Sequence, residues 1–300
     1  MSPFCGSIAL LKILLRSLKA PLSSASWRRL ISHAHRNVGA APPTRTILVK
    51  PIKRYVYHKL GTRGRSKLLK GHHLYFSRMF SDAVLFELYE RHTVDVARLY
   101  ARKSTQFVLE LYSSEKTLNE REGELVLGIR EPHSDYYLCR LTFLFAARGG
   151  GVALVIGGLQ GPCGGHKRDV IAATRLLSGL RPKDAVLLAA RSLARELGAE
   201  TRAVATDALV FRNKRGGLKF ADHDGYWRER GAVQESAQEF LFPALIAEDQ
   251  PSVGRAEMKR AIVVGACAFV RSSLRLQSGS TVSGLHSPLP RSSRATKAIA

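Results

Sequence analysis

The chain has 300 residues, 45% of them hydrophobic, with 47 Lys and Arg against 24 Asp and Glu, which gives a formal net charge of +23. This composition excludes wholesale disorder, because enough apolar surface is present to form a core. No apolar run approaches the ~20 residues that a membrane-spanning helix needs, which argues against such helices.

The chain begins with a basic segment. Residues 1–81 contain 16 Lys and Arg and no acid, and residues 8–15 are apolar except for Lys12. This pattern predicts an amphipathic helix that packs on the domain or lies on a membrane surface, and it also resembles an organelle transit peptide. The helix is the preferred interpretation. We predict a basic N-terminal arm over residues 1–64.

Helices and then strands follow in the predicted order. Residues 67–80 have helical spacing, and residues 82–102 have the spacing of two short helices. Closely spaced strands, which favour antiparallel pairing, are predicted over residues 106–112, 124–130, 136–145 and 152–156. These segments predict an antiparallel-rich sheet.

The second half of the domain alternates helix and strand. A helix is predicted over residues 169–178, and a second helix begins at Pro182, which suits a first helical turn. A strand over residues 201–206 and a helical piece over residues 226–230 follow. The whole order predicts an α+β (mixed α/β) domain over residues 65–260, with a central sheet flanked by helices.

The two ends carry the excess charge. Residues 82–257 hold 24 residues of each sign, and residues 258–300 hold 7 Lys and Arg and no acid. We predict a basic, disordered tail over residues 261–300. Basic ends would contact an anionic membrane surface or envelope proteins. Because the middle is neutral and has no DNA- or RNA-binding motif, specific nucleic-acid binding is not expected.

The cysteines and histidines predict neither a disulfide framework nor a metal site. The cysteines at positions 5, 139, 163 and 267 form no C-x-x-C pair, and a reducing cytoplasm is the expected compartment, with a peripheral position at the inner membrane. His72 and His73 are adjacent in sequence, so their side chains point apart, and the same holds for neighbours in the sequence 222–224 (Asp-His-Asp).

A glycine-rich stretch over residues 157–165 lies between a predicted strand and a helix. Glycines there allow backbone N–H groups to approach an anion, but the spacing is neither that of a dinucleotide-binding loop nor that of a P-loop. The alternatives are a ligand-binding loop and a flexible connection. Arg181 and Lys183 flank the predicted helix start at Pro182, where they would suit a phosphate or would be solvated charges at a tight corner.

Four segments together resemble the VirK/YbjX family of bacterial proteins. They are EGEL at 122–125, IGGLQG at 156–161, the stretch from Asp169 through Thr174-Arg175 to LRPK at 180–183, and DGYWRE at 224–229. The resemblance covers roughly residues 65–260, although Ser178 stands where the family has a histidine. It implies virulence, envelope and stress phenotypes and no settled molecular activity.

Two functions compete. The first is an accessory protein without a cofactor that acts in envelope integrity, stress response or virulence. The alternative is an acyltransferase that uses acyl-CoA, because the order of helices, strands and glycine loop is similar to the GNAT acetyltransferase layout. The catalytic residues are not predicted. The candidate ligand-binding residues are Gly158, Gln160, Gly161, Asp169, Thr174, Arg175, Arg181, Lys183, Trp227 and Glu229.

Overall fold

The computed structural model describes residues 21–100, 106–117, 120–162, 165–210, 222–244 and 253–275. Within them, helices flank one eight-stranded, mostly antiparallel sheet, which confirms the predicted α+β class. The helices are α1 (Pro21–Asn37), α2 (Arg45–Leu48), α3 (Thr62–Met79), α4 (Asp82–Tyr89), α5 (Lys167–Leu176), α6 (Pro182–Glu196), α7 (His223–Glu229) and α8 (Val253–Ser273).

The strands lie side by side in nearly the order in which the chain forms them. They are β1 (Thr93–Tyr100), β2 (Gln106–Ser113), β3 (Leu125–Arg130), β4 (Cys139–Arg148), β5 (Gly151–Gln160), β6 (Glu200–Val204), β7 (Val233–Gln234) and β8 (Glu239–Phe242). Their spatial order is β1-β2-β3-β4-β5-β6-β8-β7. Neighbours are antiparallel except β5 and β6, which are parallel and are joined through α5 and α6.

The predicted second helix of residues 82–102 is wrong. Helix α4 ends at Tyr89, and Arg91, with φ +64°, reverses the chain into strand β1. Residues 93–96 include the β-branched Thr93, Val94 and Val96, which favour a strand. Pairing with β2 supplies the hydrogen bonds that a second helix would have made, so tertiary context overrides the helical spacing.

Helix α8 crosses the predicted boundary at residue 261. Residues 261–273 are helical, so the expectation of disorder is wrong for them, and residues 276–300 lie outside the described ranges. Ile262, Ala266 and Val270 recur at four-residue spacing and are buried, and the helix packs on β1 and α6. Gly265 allows close contact, because a Cβ there would lie 2.5 Å from Cβ of Ala97.

The two faces of the sheet carry separate apolar clusters. On β5, Leu154 and Ile156 belong to the larger cluster, with α6 and α8, whereas Ala153 and Val155 belong to the smaller one. Trp27 of α1, which is 0% exposed, packs in the smaller cluster. Helix α1 therefore packs on the domain. Residues 8–15, whose pattern predicted an amphipathic helix, lie outside the described residues, and the division at residue 64 stays a prediction. Within the described ranges, no helix is long and apolar enough to cross a membrane.

Candidate functional site

The first two segments of the family-like pattern touch each other. Strand β5 has a bulge at Gly157, and the chain just before β3 lies against it. A Cβ on Gly157 would lie 1.8 Å from the backbone oxygen of Glu122, and a Cβ on Gly158 would lie 1.9 Å from its Oε2. Gln160 Nε2 donates to Glu122 Oε1 at 2.7 Å. The double glycine thus accommodates Glu122, and Gly158 and Gln160 do not line the pocket described next.

A pocket of about 550 Å³ lies beside the end of β5, between α5, α6 and α7. It contains half of the candidate ligand-binding residues, namely Gly161, Thr174, Arg175, Arg181 and Lys183. The other lining residues are mostly apolar and are Leu138, Cys139, Leu159, Pro162, Val170, Ile171, Pro182, Asp222, His223 and Tyr226. The pocket therefore combines an apolar wall with a cationic rim.

The parallel strands β5 and β6 part at the pocket. Their pairing ends at Ile156 and Ala203, whereas β5 continues to Gln160. The start of α7 occupies the opening. Oδ1 of Asp224 accepts from the backbone N–H and the hydroxyl of Thr206 at 2.8 and 2.9 Å.

His223 lies on the other side of the opening from Thr206. Its imidazole lies beside the backbone carbonyl of Leu159 on β5. Burial lowers the pKa of His223, so the ring is neutral near pH 7. The nitrogen that faces the carbonyl carries the proton, which leaves a lone pair on the other nitrogen. The pocket wall thus contains a neutral base that is fixed to the strand.

The N-terminus of α6 forms the cationic rim. Arg181 is its N-cap residue without a side-chain cap, and Pro182 begins the helix. Lys183 Nζ lies 4.1 Å from the centroid of the Tyr226 ring, and burial lowers the pKa of this lysine. Among the described residues, neither Arg175 nor Arg181 has an ion-pair partner, and both are exposed.

The carboxylate that follows Lys183 on α6 is already neutralised. Asp184 on α6 accepts from Arg230 Nε at 2.9 Å and from the Tyr226 hydroxyl at 2.8 Å. These contacts join α7 to α6, so the LRPK and DGYWRE segments meet in space. Arg175, Arg181 and Lys183 outnumber Asp222, the exposed carboxylate of the pocket lining, so the net charge at the pocket is positive, and together with the helix N-terminus it favours an anion.

Three other candidate residues lie away from the pocket lining. Asp169 accepts from the Tyr136 hydroxyl at 2.7 Å and from His166 Nδ1 at 2.9 Å, which holds the start of α5 in place. Trp227 is 1% exposed and packs on Phe242 in the core. The side chain of Glu229 is exposed, 3.5 Å from Arg230.

Three pocket residues that sequence reasoning missed, Asp222, His223 and Tyr226, lie at or on α7. In the sequence, Asp222 and His223 were considered only as possible metal ligands. The described residues contain no cluster of His, Cys, Asp and Glu that could hold a metal ion. The available signal was Asp222 itself, whose side chain caps α7 by accepting from the Gly225 N–H. Cys139 also lines the pocket, and burial raises its pKa to about 12, so it remains a thiol.

A second polar cluster lies inside the protein. Oε1 of Glu124 accepts from Lys50 Nζ at 2.8 Å and from the Tyr55 hydroxyl at 2.7 Å, and Oε2 lies 3.2 Å from His73 Nε2. Burial alone would raise the pKa of Glu124, but Lys50 and His73 hold it well below its usual range. This cluster ties the segment 50–55 and α3 to the start of β3.

One family matches most of the chain. Residues 9–261 match the family described as "Protein of unknown function (DUF535)". No curated protein matches the chain, and no solved structure matches it. The match covers every segment that forms the pocket, from β4 to α7. The chain belongs to the DUF535 family of proteins of unknown function.

Proposed function

We propose that this chain is a VirK/YbjX-like protein that binds an acyl-CoA in the pocket between α5, α6 and α7 and transfers its acyl group. The observation that carries the proposal is the pocket itself, in which Arg175, Arg181 and Lys183 surround an apolar wall. An acyl-CoA combines phosphates with a long, thin thioester arm. A cationic rim and an apolar interior match these two parts.

The phosphates are assigned to the rim. The uncapped N-terminus of α6 offers a backbone N–H at Lys183, and Arg181, its N-cap residue, also lines the pocket. Anions bind well where free N–H groups and the helix dipole point in the same direction. Because no carboxylate among the described residues neutralises Arg175 or Arg181, both charges are available to a ligand.

The thioester arm is assigned to the apolar wall of the pocket, beside the opening between β5 and β6. Beyond Ile156, β5 has lost its β6 neighbour and the start of α7 occupies the opening, so the arm would lie along the outer side of β5 and α7. Leu159 and Pro162 provide apolar contact, and His223 lies beside the Leu159 carbonyl. The parallel order β5-α5-α6-β6 with antiparallel β8 next to β6 supports a GNAT-like arrangement.

The proposed chemistry is direct transfer. An amine or hydroxyl of the acceptor attacks the thioester carbonyl, the C–S bond breaks, and the new C–N or C–O bond forms. The acceptor's proton passes to the free nitrogen of His223 and then to the departing thiolate. Cys139 is not assigned the role of an acylated nucleophile, because its raised pKa keeps it protonated.

Native mass spectrometry of the full chain with acetyl-CoA tests the proposal. The wild type is expected to form a one-to-one adduct, and Arg181→Ala/Lys183→Ala is expected to lose it. The matched control is Arg28→Ala/Arg29→Ala, which removes the same charge from exposed positions on α1. Equal loss in both variants would indicate binding through net charge alone, and it would overturn the proposal.

The second candidate is an accessory protein without catalysis in envelope integrity, stress response or virulence. The observation that favours it is the basicity of the N-terminal 81 residues, which lack acids and suit anionic partners. A cytoplasmic position at the inner face of the membrane belongs to this proposal. A well-folded protein that binds no acetyl-CoA, and whose loss alters the envelope, would favour this candidate over the transferase.

A further inference from the structure

Residues 21–81 form a folded layer that contains cations and no acids. This stretch comprises α1, α2 and α3 and contains 13 Lys and Arg without a single Asp or Glu. Among its Lys and Arg, Lys50 is buried against Glu124, and Lys53 is bound to Glu120 at 3.0 Å. The exposed ones are Arg28, Arg29, Arg36, Arg45, Arg54, Lys59, Arg63, Lys67 and Arg78.

The exposed cations form no ion pairs with the rest of the described chain. None of these nine side chains has a carboxylate partner among the described residues. They therefore contribute repulsion and no pairing energy to the folded state. Because their charge does not stabilise the fold, we infer that these side chains bind an anionic partner.

Helix α3 arranges its cations along one stripe. Arg63, Lys67, Lys70 and Arg78 lie at positions i, i+4, i+7 and i+15, and Leu74 lies at i+11. This spacing places all five residues on one side of the helix over four turns. Leu74 is 45% exposed within the stripe.

Helix α1 extends this stripe into a surface. Lys70 Nζ donates to Ser26 Oγ at 2.7 Å, so the two helices lie side by side. Arg29 and Arg36 are exposed on α1, and Leu22 at its start is 85% exposed. The surface made by α1 and α3, the α1–α3 face, thus combines unpaired cations with protruding leucines.

This combination fits a lipid surface better than nucleic acid. Anionic head groups attract Lys and Arg, and exposed leucines gain by entering the boundary between head groups and acyl chains. A phosphodiester backbone is charged and polar, so it provides no apolar contact for the exposed leucines. Residues 8–18, which precede α1, contain seven Leu and Ile together with Lys12 and Arg16, so the same composition continues in the sequence.

We propose that the α1–α3 face docks on a bilayer surface rich in anionic phospholipid. Docking needs neither the pocket nor an acyl-CoA, because α1 packs on the face of the sheet opposite to Leu159 in the pocket wall. The bound protein would present its pocket away from the membrane plane or along it, with the cations of α1 and α3 against the head groups.

Co-sedimentation of the full chain with vesicles tests the proposal. Vesicles of phosphatidylcholine with about 30% phosphatidylglycerol are expected to bind the wild type at about 0.1 M salt, and pure phosphatidylcholine vesicles are not. Arg29→Gln/Arg63→Gln/Lys67→Gln/Arg78→Gln is expected to lower the partition coefficient about 1000-fold. All four residues are exposed, and circular dichroism verifies that the variant is folded.

The matched control removes the same charge from the other side of the molecule. Lys167→Gln/Arg168→Gln/Arg175→Gln/Arg181→Gln, on α5 and the start of α6, is expected to bind the anionic vesicles almost as well as the wild type. Equal loss in both variants would mean that net charge alone governs binding, and it would overturn the proposal. So would a wild type that binds duplex DNA but not the vesicles. Acetyl-CoA binding by the first variant reports separately on the pocket.

Discussion

Glu122 is the residue whose surroundings best explain the double glycine of β5. Its backbone oxygen lies where a Cβ of Gly157 would be, and its carboxyl group covers Gly158. The sequence showed the glycines clearly, and the two explanations considered for them were a ligand-binding loop and a flexible connection. The close contact with Glu122 was not predicted, because it depends on which segment lies against the bulge, and that is a long-range property that local spacing does not contain.

Replacement of Gly157 should destabilise the fold strongly. In Gly157→Ala, the new Cβ would meet a backbone carbonyl at 1.8 Å, which cannot rotate away, so we expect a loss of about 3 kcal/mol in the free energy of unfolding. Gly161→Ala is the matched control, because a Cβ there meets nothing within 4 Å. Urea unfolding measures both. Equal losses in the two variants would contradict the close contact.

Glu122 should make stability fall as pH rises. Burial raises its pKa to about 7, so the folded protein holds the proton more tightly than the unfolded chain does. The stabilisation present below the unfolded pKa of about 4.3 is then lost as pH rises through the folded value. Glu122→Gln removes this dependence, so the variant should gain stability relative to the wild type between about pH 4.5 and 7.5. A constant difference across that range would contradict the assignment.

At the scale of elements, local sequence patterns predicted most of the central helices and strands, but they did not predict strand β1 or helix α8. Strands β2 to β6, both helices between β5 and β6, and the start of α6 at Pro182 were predicted, because their patterns are local, whereas β7 and β8 were not predicted. Strand β1 was predicted as a helix because its apolar spacing suited both periods. The C-terminal part of helix α8, residues 261–273, was not predicted as a helix, because it is rich in small residues. Its buried face is defined by packing on β1, which the sequence pattern does not show.

The candidate site divides in the same way. Gly161, Thr174, Arg175, Arg181 and Lys183 were predicted and line one pocket, since they belong to consecutive elements whose ends must meet. The contribution of α7 was not predictable from spacing, because it depends on a helix that arrives after β6 and fills the opening beside β5. Trp227 became a core residue for the same reason, through contact with β8.

The junction between β6 and α7 gives a prediction at this scale. In Asp224→Ala, the N–H and hydroxyl of Thr206 lose their shared acceptor. We expect the free energy of unfolding to fall by about 1–2 kcal/mol and the attachment of α7 to β6 to weaken. Hydrogen exchange at the Thr206 amide should become faster while exchange in β2 and β3 stays unchanged. Asp135→Ala, which removes a carboxylate from an exposed position in the loop before β4, is the control. Unchanged protection at Thr206 would show that α7 is held by other contacts.

At the scale of the molecule, one buried ion pair joins the basic layer to the sheet. Lys50, which is 3% exposed, places its Nζ 2.8 Å from Oε1 of Glu124 in the core. Glu124 also accepts a hydrogen bond from the Tyr55 hydroxyl and lies beside His73. The basic layer and the sheet are therefore joined by one network of hydrogen bonds. The attachment of the layer therefore depends on a few buried polar groups together with the apolar cluster around Trp27.

Replacement of Lys50 alone should lower the free energy of unfolding far more than replacement of Lys50 and Glu124 together. Lys50→Met leaves the Glu124 carboxylate buried without its main cation, and we expect a loss of about 3–5 kcal/mol. Lys50→Met/Glu124→Gln should recover much of this loss, because no buried charge remains. Thermal unfolding of both variants measures the difference. A double variant no more stable than the single one would mean that packing, and not the charge, is the cause.

The central claim is that the pocket between α5, α6 and α7 binds an acyl-CoA. A crystal structure of the full chain with acetyl-CoA tests it most directly. We predict the diphosphate within hydrogen-bond distance of the Arg181 side chain and the Lys183 N–H, and the thioester arm against Leu159 and His223. Acetyl-CoA bound at another surface, or a pocket that stays empty at saturating ligand in a crystal where its mouth is open, would contradict the account.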